Sequence, residues 1–140
     1  MRNERGSVLA LMPAAVLIFF ALGSIAVDSA MTYLGEREVS NLASAVANDA
    51  ATEGIDVTRF YATGEVVLDP VRVQQVADAA LARSGLEHLE GLTIETEVVG
   101  TDNVVVRVHA RVRSLFARAL PNSLDERDVS ASASATAERG

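Results

Sequence analysis

GSVLALMPAAVLIFFALGSIAV, residues 6 to 27, decides how this chain is built. None of its side chains is charged, and as a helix rising 1.5 Å per residue it would span about 33 Å, against roughly 30 Å of bilayer hydrocarbon. It reads as a transmembrane helix. Val8, Leu11, Val16, Phe19, Phe20, Leu22 and Ile25 are the side chains expected to face lipid. Pro13 lies about a turn and a half inside the run, where it removes a helical hydrogen bond or makes a kink that membrane helices accommodate.

Arg2 and Arg5 precede the run and Asp28 closes it. The positive-inside rule then puts residues 1–5 in the cytoplasm and everything after Asp28 outside, giving a single-pass protein of the cytoplasmic membrane. A cleaved secretory signal is the competing reading, with Ser24-Ile25-Ala26 or Asp28-Ser29-Ala30 as the cleavage site, but the run is longer than the roughly 7–15 residues of a signal core.

Helical character continues past Asp28. Met31, Leu34, Leu42, Ala45, Val46 and Ala50 recur at threes and fours among polar residues, and no proline interrupts residues 28–53. A single rod from about Ser7 to Glu53 would be some 70 Å long and would stop at Gly54. Ala43, Ala45, Ala47, Ala50 and Ala51 make its far end narrow. Such a surface suits close packing, either within the chain or against another subunit.

The chain of 140 residues has room for an anchor and one small domain, expected at 54–140 beyond the juxtamembrane helix at 28–53. Its net charge of -7 argues against sequence-independent nucleic-acid binding, which needs clustered Lys and Arg. The absence of Cys removes disulfides, thiolate metal sites and a cysteine nucleophile.

Within residues 54–140, Glu65 to Leu68 reads as a short strand, and Asp69-Pro70 as the N-cap and first residue of a helix. Val73, Val76, Ala77, Ala80 and Leu81 form that helix's apolar face, and Gly85 ends it. From Leu92 the period changes to two. Leu92, Ile94, Thr96 and Val98, then Val104, Val106, Val108, Ala110 and Val112, predict an antiparallel hairpin across a turn of three or five residues. Either register puts Glu95 or Glu97 opposite Arg107 on a solvated face. Ser114 to Leu120 reads as a helical turn ended by Pro121. Val129, Ala131, Ala133, Ala135 and Ala137 alternate with serines and Thr136 as a further strand, with a flexible low-complexity tail as the alternative. The expected fold is α+β: a long N-terminal helix on an antiparallel sheet of three or four strands.

Arg5-Gly6-Ser7 opening the apolar run, Pro13 within it, Asp28 at its end, and then Tyr33, Arg37, Asn41 and the alanine-rich residues 43–51 resemble the N-terminal region of TadE/TadG-like proteins, the minor pilins or pseudopilins of tight-adherence (Flp-type) pilus assembly. The likeness covers about a third of the chain. It departs from the pattern at Leu11, where a processed pilin-like chain carries Glu, and at Ser40 and Ser44, where TadG-like sequences commonly have Gln and Asp. The resemblance implies a pilin-like fold and a non-catalytic structural role in a hetero-oligomer, with other pilin-like subunits and the assembly machinery as partners and no cofactor. Asp28, Tyr33, Arg37, Asn41, Ala43 and Ala47 are the candidate assembly contacts.

Elements of catalysis are sparse. His88 sits in a loop-like segment after Glu87, and His109 on the polar side of a strand beside arginines. No Gly-x-Ser-x-Gly elbow, glycine-rich phosphate loop or helical His pair accompanies them. The chain is expected not to be an enzyme; the alternative to a pilus component is a membrane-tethered extracytoplasmic ligand-binding or sensory module, or a small secreted protein if residues 1–26 are a cleaved signal.

Overall fold

In the computed structural model, which describes residues 5–114 and 126–138 and the side chains from residue 11 onward, one unbroken helix, α1 (Arg5–Glu53), forms the first part of the chain. Its 49 residues reach about 73 Å. The helix passes through Pro13 without a break.

From Gly35 onward α1 has a buried face, made by Gly35, Val39, Ala43, Val46, Ala47, Ala50 and Ala51. Spacings of three and four put these residues on one side of the helix. This stripe differs from the expected one: Met31, Leu34 and Ala45 are exposed, and Gly35 and Val39 take their place. The physical reason is close approach. A β-carbon on Gly35 would run into Val112 Cγ2, so at this point the helix meets the sheet at glycine distance.

Gly54 ends α1 and fixes the next corner. A β-carbon there would meet the Ala50 carbonyl oxygen and lie 2.6 Å from Val73 Cγ2. The Gly54 carbonyl accepts the Asp69 N–H at 2.8 Å. Between these two residues the chain makes an excursion whose base is closed by an Ile55–Leu68 bridge and by Asp56 N–H donating to the Val67 carbonyl at 2.8 Å. The excursion carries a short helix, α2 (Val57–Thr63). The strand expected at Glu65 to Leu68 is therefore only a single bridge. Asp69 already caps the next helix, which leaves no length for a ladder.

That helix, α3 (Pro70–Arg83), starts as expected, with Asp69 Oδ1 accepting the Val71 N–H at 2.9 Å. Val73 and Ala77 are buried beneath it. It ends at Arg83, and Gly85 takes the left-handed conformation (φ 66°) just beyond.

The sheet has three antiparallel strands in the order β1-β2-β3: β1 (Glu90–Val99), β2 (Asn103–Arg113) and β3 (Glu126–Thr136). Val99 pairs with Asn103, leaving a turn of Gly100, Thr101 and Asp102, with Gly100 at φ 75°. This is the three-residue turn of the two foreseen. The Ser-Ala repeat is a strand, paired with β2 along its whole length, and the flexible-tail alternative is discarded. The turn expected at Ser114 to Leu120 falls, after Ser114, outside the described residues.

The central strand carries the core. Val104, Val106 and Val108 are fully buried, and Ala110 and Val112 nearly so. Helix α1 lies across β2 and β3, and α3 lies against β1, with Thr96 Oγ1 bonded to Gln74 Oε1 at 2.7 Å. Small Ala131, Ala133 and Ala135 on β3 permit that approach; a row of leucines there would hold the helix further off. The packed unit thus begins near Gly35 and takes in the last part of α1 as well as residues 54–114 and 126–138.

Candidate membrane anchor and assembly surface

The feature that stands apart is the outer part of α1. Leu11, Met12, Val16, Leu17, Ile18, Phe19, Phe20, Leu22, Ile25 and Val27 are between 42% and 74% exposed. The most apolar window of this helix has a mean hydropathy of 2.1, and none of it is buried against the rest of the chain. Soluble proteins rarely expose so large a contiguous apolar surface without an apolar medium or partner for it. The helix is long and apolar enough to cross a membrane. Of the expected anchor residues, Leu11, Val16, Phe19, Phe20, Leu22 and Ile25 all lie on this surface. The side chain of Val8 lies outside the described residues.

Asp28 marks the end of the apolar stretch and is half-buried, and its carbonyl accepts the Thr32 hydroxyl at 3.0 Å. Beyond it Tyr33, Arg37 and Asn41, four residues apart, are exposed on one side of the helix. At about 100° per residue, that side is roughly opposite the buried stripe. Ala43 and Ala47 are 0% and 1% exposed. The chain's own sheet covers them, so they offer no surface to a neighbour; of the six candidate assembly contacts, Tyr33, Arg37 and Asn41 are fully presented and Asp28 partly.

On the other face of the sheet, an arginine row on β2 lies between acidic residues on both neighbours. Glu95 is the cross-strand partner of Arg107 in the backbone register, but the ion pair forms diagonally, Arg107 Nη1 to Glu97 Oε2 at 3.0 Å. Arg111 reaches Glu126 at 3.2 Å and Asp128 at 3.7 Å, and Arg113 pairs with Glu90. These side chains are all well exposed, which makes the face a solvated, internally neutralised surface whose pairs each contribute between about 0 and 1 kcal/mol. His109 is exposed on the same face. His88 lies elsewhere, with Nε2 2.8 Å from Glu38 Oε2, tying the α3–β1 connection to α1. Among the described residues no group of three or more His, Asp or Glu side chains is placed to hold a metal ion.

Comparison with family models, with curated proteins and with solved structures finds no match. The functional reading therefore rests on the geometry of α1 together with the sequence resemblance of residues 5–51.

One region escaped the sequence reading. Residues 54–64 carry no clear apolar period, yet α2 is defined there by its ends: Asp56 Oδ1 accepts the Arg59 N–H at 3.0 Å, and Gly64 closes the helix at φ 72°. The pairing of an Asx residue with a glycine eight positions later is the signal that marks it.

Proposed function

We propose that this protein is a non-catalytic, membrane-anchored structural component of an envelope assembly of the tight-adherence pilus type, with its N-terminus in the cytoplasm and its packed unit outside. The observation that carries the reading is the division of one continuous helix. Its first part exposes apolar side chains with nothing of the chain against them, and its last part is the scaffold on which the sheet is laid. A helix built in this way transmits the position of the membrane rigidly to the outer unit, because no loop intervenes between Asp28 and Gly35.

The N-terminal placement follows from Arg2 and Arg5 at one end of the apolar run and Asp28 at the other. Insertion is favourable: the nine Leu, Ile, Val and Phe residues among the exposed set, at about -0.3 to -0.6 kcal/mol each, contribute roughly -3 to -5 kcal/mol. The exposed stripe of Tyr33, Arg37 and Asn41 is the surface offered to neighbouring pilin-like subunits just above the membrane. The mature N-terminus and the partition of the protein after carbonate extraction test this reading together. A chain uncut, or cut after Gly6, that stays with membranes or with sheared filaments supports it. Cleavage after Ala26 or Ala30 with a soluble product overturns it.

A further inference from the structure

Helix α2 buries none of its seven residues. A helix this short is unstable by itself, and its two caps and the bridge at the base of the excursion help to hold it. Yet its sequence is not that of a solvated helix. Val57, Phe60 and Tyr61, at i, i+3 and i+4, form an apolar face; Val57 is 45% and Tyr61 82% exposed, and the Phe60 and Tyr61 rings stand edge to face at 5.9 Å. In a chain with two tyrosines and no tryptophan, placing an aromatic pair on the surface is a notable use of them.

This face borders an open groove of about 580 Å³, between α2, the end of α1 and the start of α3, floored by Ile55, Phe60 and Val66. Glu53 and Glu138 line it, and neither carboxylate has a hydrogen bond or ion pair among the described residues. Arg72 also lines it, donating from Nη1 to the Ile55 carbonyl at 3.0 Å; that bond leaves its charge in place, so the lining holds two carboxylates and one guanidinium. The groove therefore combines an apolar floor, an exposed aromatic anchor, one guanidinium and two carboxylates that are unpaired among the described residues.

We infer that this groove docks a protein segment carrying an apolar side chain flanked by Lys or Arg. Charge complementarity selects that occupant. The lining carries one more carboxylate than guanidinium, so a cation gains a partner there and an anion does not. Lipid is excluded by distance: 25 residues of helix between Asp28 and Glu53 carry the groove about 38 Å beyond the end of the apolar stretch. Only that exclusion rests on the membrane-anchor reading; the peptide experiment below succeeds or fails whichever way the N-terminus is processed.

The test uses the full chain in nanodiscs of zwitterionic lipid and two capped peptides, one alternating Leu with Lys and one alternating Leu with Glu. Expected is saturable binding of the Lys peptide that weakens with salt, with no binding of the Glu peptide and none of either peptide to empty nanodiscs. Tyr61→Ala, and the double change Glu53→Gln with Glu138→Gln, should each weaken binding at least about tenfold, as for removal of an interface anchor. Both sites are peripheral to the core, and an unchanged circular dichroism spectrum confirms that the variants are folded. Absence of Lys-peptide binding, equal binding of both peptides, or binding unaffected by these substitutions overturns the assignment.

Discussion

Replacing Gly35 by alanine sets two effects of opposite sign against each other. Alanine is the better helix former by roughly 0.5–1 kcal/mol, and Gly35 has ordinary helical geometry, so this gain is available. Against it, the new methyl is driven into Val112 Cγ2, while Val112 Cβ at 3.7 Å and Leu89 Cδ2 at 3.8 Å remain in ordinary contact. Val112 is β-branched and nearly buried on the central strand, so it has little freedom to turn away. Overpacking of this kind costs about 1–3 kcal/mol. The steric term should win, for a net loss of about 0.5–2 kcal/mol, equivalent to roughly 2- to 30-fold in the opening equilibrium. Amide hydrogen exchange of Val106 and Val108 in the full chain, held in nanodiscs, reads that equilibrium without interference from the exposed apolar part of α1. Two controls sharpen the result. Gly23→Ala meets no atom within 4 Å and should leave β2 protection unchanged. In a Val112→Ala background the obstructing Cγ2 is gone, so Gly35→Ala should there be neutral or stabilising. Wild-type protection in Gly35→Ala, or the same loss in both backgrounds, would refute the close-approach argument.

Other outcomes follow from the same geometry. Leu17→Lys, near the middle of the apolar run, should cost about 3–4 kcal/mol of insertion and move the protein out of the carbonate-resistant membrane fraction; unchanged partition would count against the anchor. Val106→Ala removes two carbons from a site with 0% exposure and should destabilise the packed unit by about 2 kcal/mol, seen as a lower denaturant midpoint. Asp69→Ala deletes the 2.9 Å cap to Val71 and should lose about 1 kcal/mol, with the loss of exchange protection concentrated in α3. Glu97→Gln breaks an exposed ion pair and should change stability by less than about 1 kcal/mol; a larger effect would show that the charged face of the sheet has a structural role.

The elements were legible wherever the sequence repeats a period. The uncharged run of residues 6 to 27, the three-and-four spacing of α3 and the alternation of all three strands each reflect a local rule that neighbouring residues satisfy together. The Asp69-Pro70 start and the Gly100 turn were equally local, since capping and positive φ are properties of a few consecutive residues. Glu65 to Leu68 was misleading because its β-forming residues say nothing about whether a neighbouring strand exists to pair with them.

What only the tertiary structure decided is which surfaces are used up. Ala43 and Ala47 look like contact residues from sequence, and they are, but the contact is with the chain's own sheet. Tyr33, Arg37 and Asn41 are left outside because the helix turns about 100° per residue and the sheet can cover only one side of it. Composition and period fix how a segment folds; they carry no record of which non-local segment arrives to cover it. The position of β2 against Gly35, and the uncovered face of α2, depend on contacts between residues far apart in the chain, and those exist only once the helix and the sheet have packed.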